Sequence, residues 1–196
     1  MIDTKTISEL RSRTAAGIVD CKKALEEAGG DLEVAAELLR KKGIAKAGKK
    51  GERATNQGLV EAYVHGNGKV GVLVEVLCET DFVARNEQFR AFVHDLALQI
   101  AAANPLYVNR EAIPPETLEK ERELSGEEFA GSGKPQEVIE KIVAGKLEKY
   151  FAEVCLLDQP FIKDEDVTIG ELLQEKIATI GENMQIKRFV RFALGE

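Results

Sequence analysis

The fold class depends on residues 59–77, which read LVEAYVHGNGKVGVLVEVL. In the first half, Val60, Ala62 and Val64 alternate with a second set of side chains, and from Val70 onward almost every residue is apolar. A period of two is the spacing of β-strands, and residues 65–69 hold the Gly and Asn of a tight turn. The stretch therefore predicts a β-hairpin whose second strand lies in the centre of a sheet.

Helical spacing returns after the hairpin. Residues 86–103 carry apolar side chains three and four apart, with Asn86 as a candidate N-cap and Pro105 just after the predicted end. A further helix is predicted from Pro114, because proline fits the first helical turn. Residues 131–135 (GSGKP) are predicted to form a loop.

A long helix is predicted over residues 136–154. Its apolar seam recurs at spacings of four, three and four, through Val143, Leu147, Tyr150 and Val154. The seam fits a core helix, one arm of a helical hairpin, or a contact between two copies of the chain.

The C-terminal residues complete the predicted core. Residues 168–171 (TIGE) form a capping box that opens a helix to about residue 179, and residues 184–192 alternate as a final strand. Helices packed on a mostly antiparallel sheet make an α+β fold.

Residues 4–47 predict a separate module of three short helices. The helical spacing breaks around residues 14–17 and again at Gly29, and Asp31 is placed to cap the third helix. Residues 40–57 follow as a connector rich in Lys, Arg and Gly. The predicted domains are residues 1–53, the module with its basic connector, and residues 54–196, the α+β core.

The role of the basic connector is open. It fits a solvated linker or helix extension, a contact surface for an acidic partner, or an RNA contact, although it lacks base-stacking and base-reading residues. The net charge is +3 over residues 1–53, −10 over the rest and −7 overall. A chain this anionic is not a general nucleic-acid or membrane-surface binder. We therefore expect no direct nucleic-acid partner and no membrane partner.

The expected compartment follows from cysteine usage and hydropathy. Cys21, Cys78 and Cys155 form no CxxC pair, the N-terminus lacks a signal-peptide core, and no run of about 18 apolar residues occurs. We expect a cytoplasmic protein with reduced thiols.

The sequence also lacks the local motifs of common enzymes. It has no P-loop, no dinucleotide-binding GxGxxG after a strand, no His/Cys metal-ligand spacing and no nucleophile elbow. We therefore expect no enzyme activity, no catalytic residue, no metal site and no cofactor. An active site assembled from distant residues is the alternative.

Residues 79–86 (ETDFVARN) are the most unusual stretch. They follow the predicted central strand and place an acid, Asp81, beside a large aromatic residue, Phe82. On the residues alone, Thr80 or Asp81 caps a short turn, and Phe82 packs back onto the core as a staple.

The same stretch is very similar to the signature of the elongation factor Ts family. Residues 10–17 (LRSRTAAG) and 20–25 (DCKKAL) resemble the N-terminal module of that family. Further motifs resemble the family in the family's order: residues 133–135 (GKP), 158–161 (DQPF) and 180–183 (IGEN). The resemblance covers essentially the whole chain.

The resemblance implies a three-helix module like ubiquitin-associated domains, an α+β core, and release of GDP from elongation factor Tu. In that picture Thr80, Asp81, Phe82 and Val83 contact the partner and disturb its Mg²⁺ ion and switch region. Further partner contacts implied by the resemblance are His65, Ile180, Gly181, Lys22 and Lys23. A turn histidine is the alternative for His65.

Longer members of the family carry two copies of the core half, and this chain has room for about one. The resemblance therefore implies a short-type factor that obtains its second half by forming a homodimer. The long helix and the final strand are the candidate surfaces. The alternative functions are an adaptor that holds a partner without changing nucleotide release, and an RNA binder that uses the basic connector.

Overall fold

The computed structural model describes residues 2–14, 16–48, 50–129 and 135–196, with the backbone only at residues 44–47. The elements follow in the order α1 (Thr4–Thr14), α2 (Ile18–Glu27), α3 (Leu32–Gly48), β1 (Gln57–His65), β2 (Val70–Cys78), α4 (Asp81–Ala84), α5 (Glu87–Ala103), α6 (Pro115–Glu127), α7 (Gln136–Val154), β3 (Pro160–Phe161), β4 (Asp164–Thr168), α8 (Ile169–Ile180) and β5 (Met184–Ala193). The predicted α+β fold is confirmed. Residues 131–134 of the predicted loop lie outside the described residues.

The chain divides into two compact units. The first unit comprises Met1–Gly58, Leu77–Phe92 and Leu173–Gln185, and the second comprises Leu59–Val76, Val93–Leu172 and Ile186–Glu196. Each unit combines several stretches of the chain. The domain boundary predicted between residues 53 and 54 stays a prediction.

In the first unit, α1, α2 and α3 enclose a small apolar core. Its buried members are Leu10, Cys21, Ala24, Leu25, Ala35 and Leu39. Gly29 and Gly30 have positive φ after α2, and the Asp31 carboxylate accepts hydrogen bonds from the Glu33 and Val34 N–H groups at 2.9 and 3.1 Å. These residues therefore end one helix and cap the next, as their types predicted.

The first part of the basic connector is helical. Helix α3 runs to Gly48, which matches the helix-extension interpretation. Three of its cations pair with acids of the same module: Arg40 and Lys41 with Glu37, at 2.9 and 3.5 Å, and Lys42 with Glu27 at 2.7 Å.

The second unit contains most of a three-stranded sheet in the order β1-β2-β5, so β2 is central as predicted. Val72, Val74 and Val76 of β2 are buried. Helix α5 lies beside this sheet, because His94 contacts Glu61 of β1 at 3.0 Å and Arg191 of β5 donates to a carbonyl of α5.

The seam of α7 is packed within the chain. Leu147 and Val154 belong to a buried cluster, and Val143, Tyr150 and Leu118 of α6 pack against that cluster. Helices α6 and α7 therefore form the helical hairpin that was one interpretation of the seam. No helix in the described part of the chain is both long and apolar enough to span a bilayer.

Candidate partner-binding site

The turn after β2 is capped by Thr80. This residue has extended backbone angles, φ −127° and ψ 158°, and its side-chain oxygen accepts a hydrogen bond from the Val83 N–H at 3.4 Å. The Thr80 and Asp81 carbonyls accept from the Ala84 and Arg85 N–H groups, both at 3.2 Å. The prediction that Thr80 or Asp81 caps a short turn is confirmed for Thr80, and α4 is that turn.

Phe82 does not pack onto the core. Its side chain is 82% exposed, so the staple interpretation is wrong. The turn does not need this ring for its cap, because the Thr80 side chain caps α4 and none of its four residues is buried. Left in water, a phenylalanine forgoes roughly 1.5–3 kcal/mol that burial against a partner would contribute.

Asp81 lies beside Phe82 and is held by its own turn. One Asp81 carboxylate oxygen lies 3.0 Å from the Arg85 guanidinium, and both side chains remain largely accessible. An exposed pair of this kind contributes about 0.3–0.5 kcal/mol, so it does not immobilise the carboxylate. The turn therefore presents an acid and an aromatic ring side by side.

The turn is joined to the end of α8 by a brace, which we define as Glu79, Thr80, Glu182 and Asn183. The Glu182 carboxylate accepts from the Thr80 N–H at 3.0 Å and from the Thr80 hydroxyl at 2.7 Å. In the reverse direction, the Glu79 carboxylate accepts from the Asn183 N–H at 2.5 Å. Each pair of residues thus supplies one carboxylate to a backbone N–H of the other.

The connector is attached to the same brace. The Asn183 amide group donates to the carbonyls of Gly51 and Arg53, at 3.3 and 2.8 Å, and the Arg53 guanidinium lies 3.5 Å from the Glu79 carboxylate. Three segments that are distant in sequence are therefore tied together behind α4 by polar contacts.

Cys78 contributes to the site as a thiol. Its sulfur donates to the Thr80 carbonyl at 3.2 Å. Burial, followed by the charge of Glu182, raises the pKa of Cys78 to about 11. The group is therefore protonated at neutral pH and is a poor nucleophile.

Ile180 and Gly181 end α8. Gly181 has a φ of 95°, the left-handed conformation typical of a residue that follows a helix. The Lys50 ammonium donates to the Gly181 carbonyl at 2.8 Å and to the Ile177 carbonyl at 3.4 Å, which satisfies groups at the helix end. The structure gives Gly181 a local role that places Glu182.

The remaining predicted contacts are distributed over both units. Lys22 and Lys23 are exposed on α2, in the first unit with residues 80–83, Ile180 and Gly181. His65 belongs to the second unit, where its Nδ1 lies 2.8 Å from the Tyr63 hydroxyl at the end of β1. This position fits the turn-histidine alternative, and the predicted contact of His65 stays a prediction.

The sequence interpretation missed Glu79, Glu182 and Asn183. Residues 182 and 183 end the IGEN stretch that resembles the family, and that was the available signal, but residue type alone does not show that Glu182 contacts Thr80. Among the described residues, no group of His, Cys, Asp and Glu is arranged to hold a metal ion.

Comparisons with known proteins agree with the motifs. The sequence profile of the family described as Elongation factor TS matches residues 46–196. Elongation factor Ts of Carboxydothermus hydrogenoformans is 59% identical over 196 residues, covering 100% of this chain and 90% of that protein. The proteins of the same name from Moorella thermoacetica and Caldanaerobacter subterraneus subsp. tengcongensis are each 55% identical, over 100% of this chain and 97% and 98% of theirs. This chain therefore belongs to the elongation factor Ts family, and its role is that of a translation elongation factor.

Proposed function

We propose that this protein is a guanine nucleotide exchange factor for elongation factor Tu, and that it promotes GDP release by disturbing the partner's Mg²⁺ ion and switch region. The observation that carries the proposal is the exposed acid–aromatic pair, Asp81 and Phe82, on a turn held by the brace. Family membership supports the identity of the partner.

The proposal requires no covalent chemistry from this chain. In a translation GTPase, Mg²⁺ bridges nucleotide phosphates and protein oxygens, so displacing the ion weakens nucleotide binding. An exchange factor must bind the nucleotide-free partner more tightly than the GDP-bound partner. By thermodynamic reciprocity, its binding then lowers the affinity for GDP by the same factor.

Phe82 and Asp81 have different roles in this proposal. Phe82 acts as an apolar wedge that favours one packing of the switch region, because packed elements tend to have discrete alternative arrangements. Asp81 brings a carboxylate towards the metal site, where its charge and hydrogen-bonding capacity compete with the existing ligands. Thr80 and Val83 form the cap that holds both residues.

We further propose that the protein is cytoplasmic, is not itself an enzyme, and carries no catalytic residue, cofactor or metal of its own. Its contacts are with proteins, and neither RNA nor a membrane is a direct partner. The pairing of Arg40 and Lys42 with acids of the same module supports this, because paired cations attract a polyanion less strongly.

A homodimer is the proposed oligomeric state, and the supporting observation is an apolar open face on the sheet. On β1, Glu61 and Tyr63 contact His94 of α5, so Val60 and Val64 lie on the opposite face. The large apolar residues that β2 and β5 expose are Leu73, Val190 and Phe192. Contiguous exposed apolar patches mark interaction sites, and a second copy of the same face covers it with two-fold symmetry.

Sedimentation velocity tests the dimer. We expect the protein to sediment as a dimer at micromolar concentration and the Phe192→Asp variant to sediment as a folded monomer. A monomeric wild-type protein under these conditions would contradict the homodimer proposal and leave the exchange proposal to its own test.

GDP release tests the function. Elongation factor Tu is loaded with a fluorescent GDP analogue, chased with excess GDP, and mixed with increasing concentrations of this protein. We expect the release rate to rise and saturate. A complex that forms without any change in release rate would contradict exchange activity and favour the adaptor alternative. Affinity for RNA that falls steeply with salt would favour the RNA-binding alternative.

A further inference from the structure

We infer that Glu182 is a positioning residue for exchange: it sets the conformation of the turn that presents Asp81 and Phe82, without contacting the partner itself. This inference rests on the proposed function. It starts from a property of α4, in which none of the four residues, all of them described, is buried.

A turn without buried side chains needs another source of order. Four residues are too few to form a stable helix alone, because nucleation is unfavourable and tertiary packing supplies most helical stability. Asp81, Val83 and Ala84 are half-buried and Phe82 is exposed, so fully buried side chains of its own are not what holds α4. We therefore attribute the order of α4 to the polar contacts of Thr80 and Glu182.

The Thr80 hydroxyl connects Glu182 to the turn. A hydroxyl has one proton and two lone pairs. Its proton is donated to Glu182 at 2.7 Å, which leaves its lone pairs free to accept from the Val83 N–H. Glu182 thus fixes the direction of the hydroxyl proton, and with it the cap of α4.

A carboxylate suits this position better than its amide analogue. Glu182 accepts two hydrogen bonds from Thr80, one from the backbone N–H and one from the side chain. Hydrogen bonds to a charged acceptor are stronger than neutral ones. Glutamine offers one oxygen and an NH₂ group. When that oxygen accepts from the Thr80 N–H, the NH₂ group faces the Thr80 hydroxyl, whose proton then has no acceptor on residue 182.

Glu182 is itself held in place from two sides. On one side, Gly181 adopts its positive φ and its carbonyl is bound by Lys50. On the other side, the Asn183 N–H is bound by Glu79. The carboxylate therefore meets Thr80 from a backbone that is anchored before and after it, and this pre-organisation is what a positioning residue requires.

The test separates the maximal rate of GDP release from the concentration of this protein that gives half of that rate. For the Glu182→Gln variant we expect the maximal rate to fall roughly ten-fold while the half-saturating concentration changes by less than about two-fold. The matched control is Glu175→Gln on α8, the helix that precedes Glu182, and it removes the same charge from an exposed side chain. We expect Glu175→Gln to retain the wild-type maximal rate and the wild-type half-saturating concentration.

Variants of Thr80 give an independent measurement of the same bond. Thr80→Val removes the hydroxyl and is expected to lose as much of the maximal rate as Glu182→Gln, whereas Thr80→Ser keeps the hydroxyl and is expected to lose less than Thr80→Val. The double variant of Thr80→Val and Glu182→Gln should lose no more than either single variant, because all three lack the same hydrogen bond. If Glu182→Gln fails to fold, the Thr80 pair decides the matter.

Amide hydrogen exchange at Val83 tests positioning without the partner. In Glu182→Gln, we expect the Val83 N–H to exchange roughly ten-fold faster, with protection in α5 unchanged. Wild-type values for both the maximal rate and Val83 protection would overturn the inference. If the wild-type protein does not accelerate GDP release, the proposed function fails, and unchanged Val83 protection would overturn the positioning role separately.

Discussion

The consecutive helices α4 and α5 are held by different forces. Helix α5 buries Phe89, Phe92 and Leu96 completely, whereas α4 buries no side chain among its four described residues and exposes Phe82. Burial of a phenylalanine contributes roughly 1.5–3 kcal/mol, so α5 is stabilised by packing. Helix α4 depends on a cap and on hydrogen bonds to residues about a hundred positions away in sequence.

This difference explains why the pair proposed to bind the partner lies on α4. A helix held by packing must turn its apolar side chains inward, so they are not available to a partner. A turn held by backbone and hydroxyl hydrogen bonds keeps its conformation while its aromatic side chain stays outside. Hydrogen bonds therefore allow α4 to be ordered while its aromatic side chain stays exposed.

The largest effect, on the free energy of unfolding, is expected from truncating a buried side chain of α5. We expect Phe92→Ala to lower the free energy of unfolding by about 3–5 kcal/mol, because the substitution removes a buried ring and leaves a cavity. Urea denaturation followed by circular dichroism measures this. A loss below about 1 kcal/mol would show that α5 is not held by its packing, and the contrast with α4 would fail.

The matching substitution on α4 is expected to change the stability little and the rate of GDP release strongly. Phe82→Ala should change the free energy of unfolding by less than about 0.5 kcal/mol, because it removes an exposed side chain. GDP release from elongation factor Tu should nevertheless slow by roughly ten- to a hundred-fold at a fixed protein concentration, since the wedge is lost.

The control for Phe82→Ala is Leu106→Ala, which truncates another exposed apolar side chain. We expect elongation factor Tu to release GDP at the wild-type rate in the presence of the Leu106→Ala variant. Equal losses in the Phe82 and Leu106 variants would mean that exchange does not depend on the turn in particular.

Packed elements were predictable from the sequence, and the reason lies in periodicity. Burial of one face repeats a residue type every two positions in a strand and every three or four in a helix. The hairpin at residues 57–78, helix α5 and the seam of α7 were therefore predicted with their type and approximate bounds. The roles of the two glycines and the aspartate between α2 and α3 were predicted, because local backbone chemistry decides where a helix ends and where the next is capped.

Elements held by distant polar contacts were not predictable in this way. The β3–β4 hairpin was missed because β3 has only two residues and β4 reads DEDVT, which has no apolar alternation. Its anchor is the buried Gln99 side chain, which donates to the Pro160 carbonyl and accepts from the Ile162 N–H. The brace was missed because the fold alone brings Glu182 and Thr80 together, and no periodic pattern in the sequence marks a contact between them. Thr80, Asp81 and Phe82 themselves were found through resemblance to the family.

A smaller effect is expected at the brace residue that binds the connector. Asn183→Ala removes the donors to the Gly51 and Arg53 carbonyls, and we expect it to lower the free energy of unfolding by about 1–2 kcal/mol. The Glu79 bond to the backbone N–H of residue 183 does not depend on this side chain, so GDP release should fall less than in Glu182→Gln. A greater loss of release than in Glu182→Gln would indicate that Asn183, and not Glu182, orients the turn.

The smallest expected effect compares two buried thiols, one beside the turn and one in the packed hairpin. Burial raises the pKa of both Cys78 and Cys155 to about 11, so at pH 8 both are almost entirely protonated and should react slowly with iodoacetamide. In Thr80→Val, opening of the turn should speed alkylation of Cys78 by about three-fold, while Cys155 keeps its wild-type rate. Peptide mass spectrometry after timed labelling gives both rates in one sample. A rise at Cys78 alone would show that the turn opens independently of the packed core. A parallel rise at both cysteines would instead mean that the variant loosens the whole protein and that hydrogen bonds give α4 no separate stability.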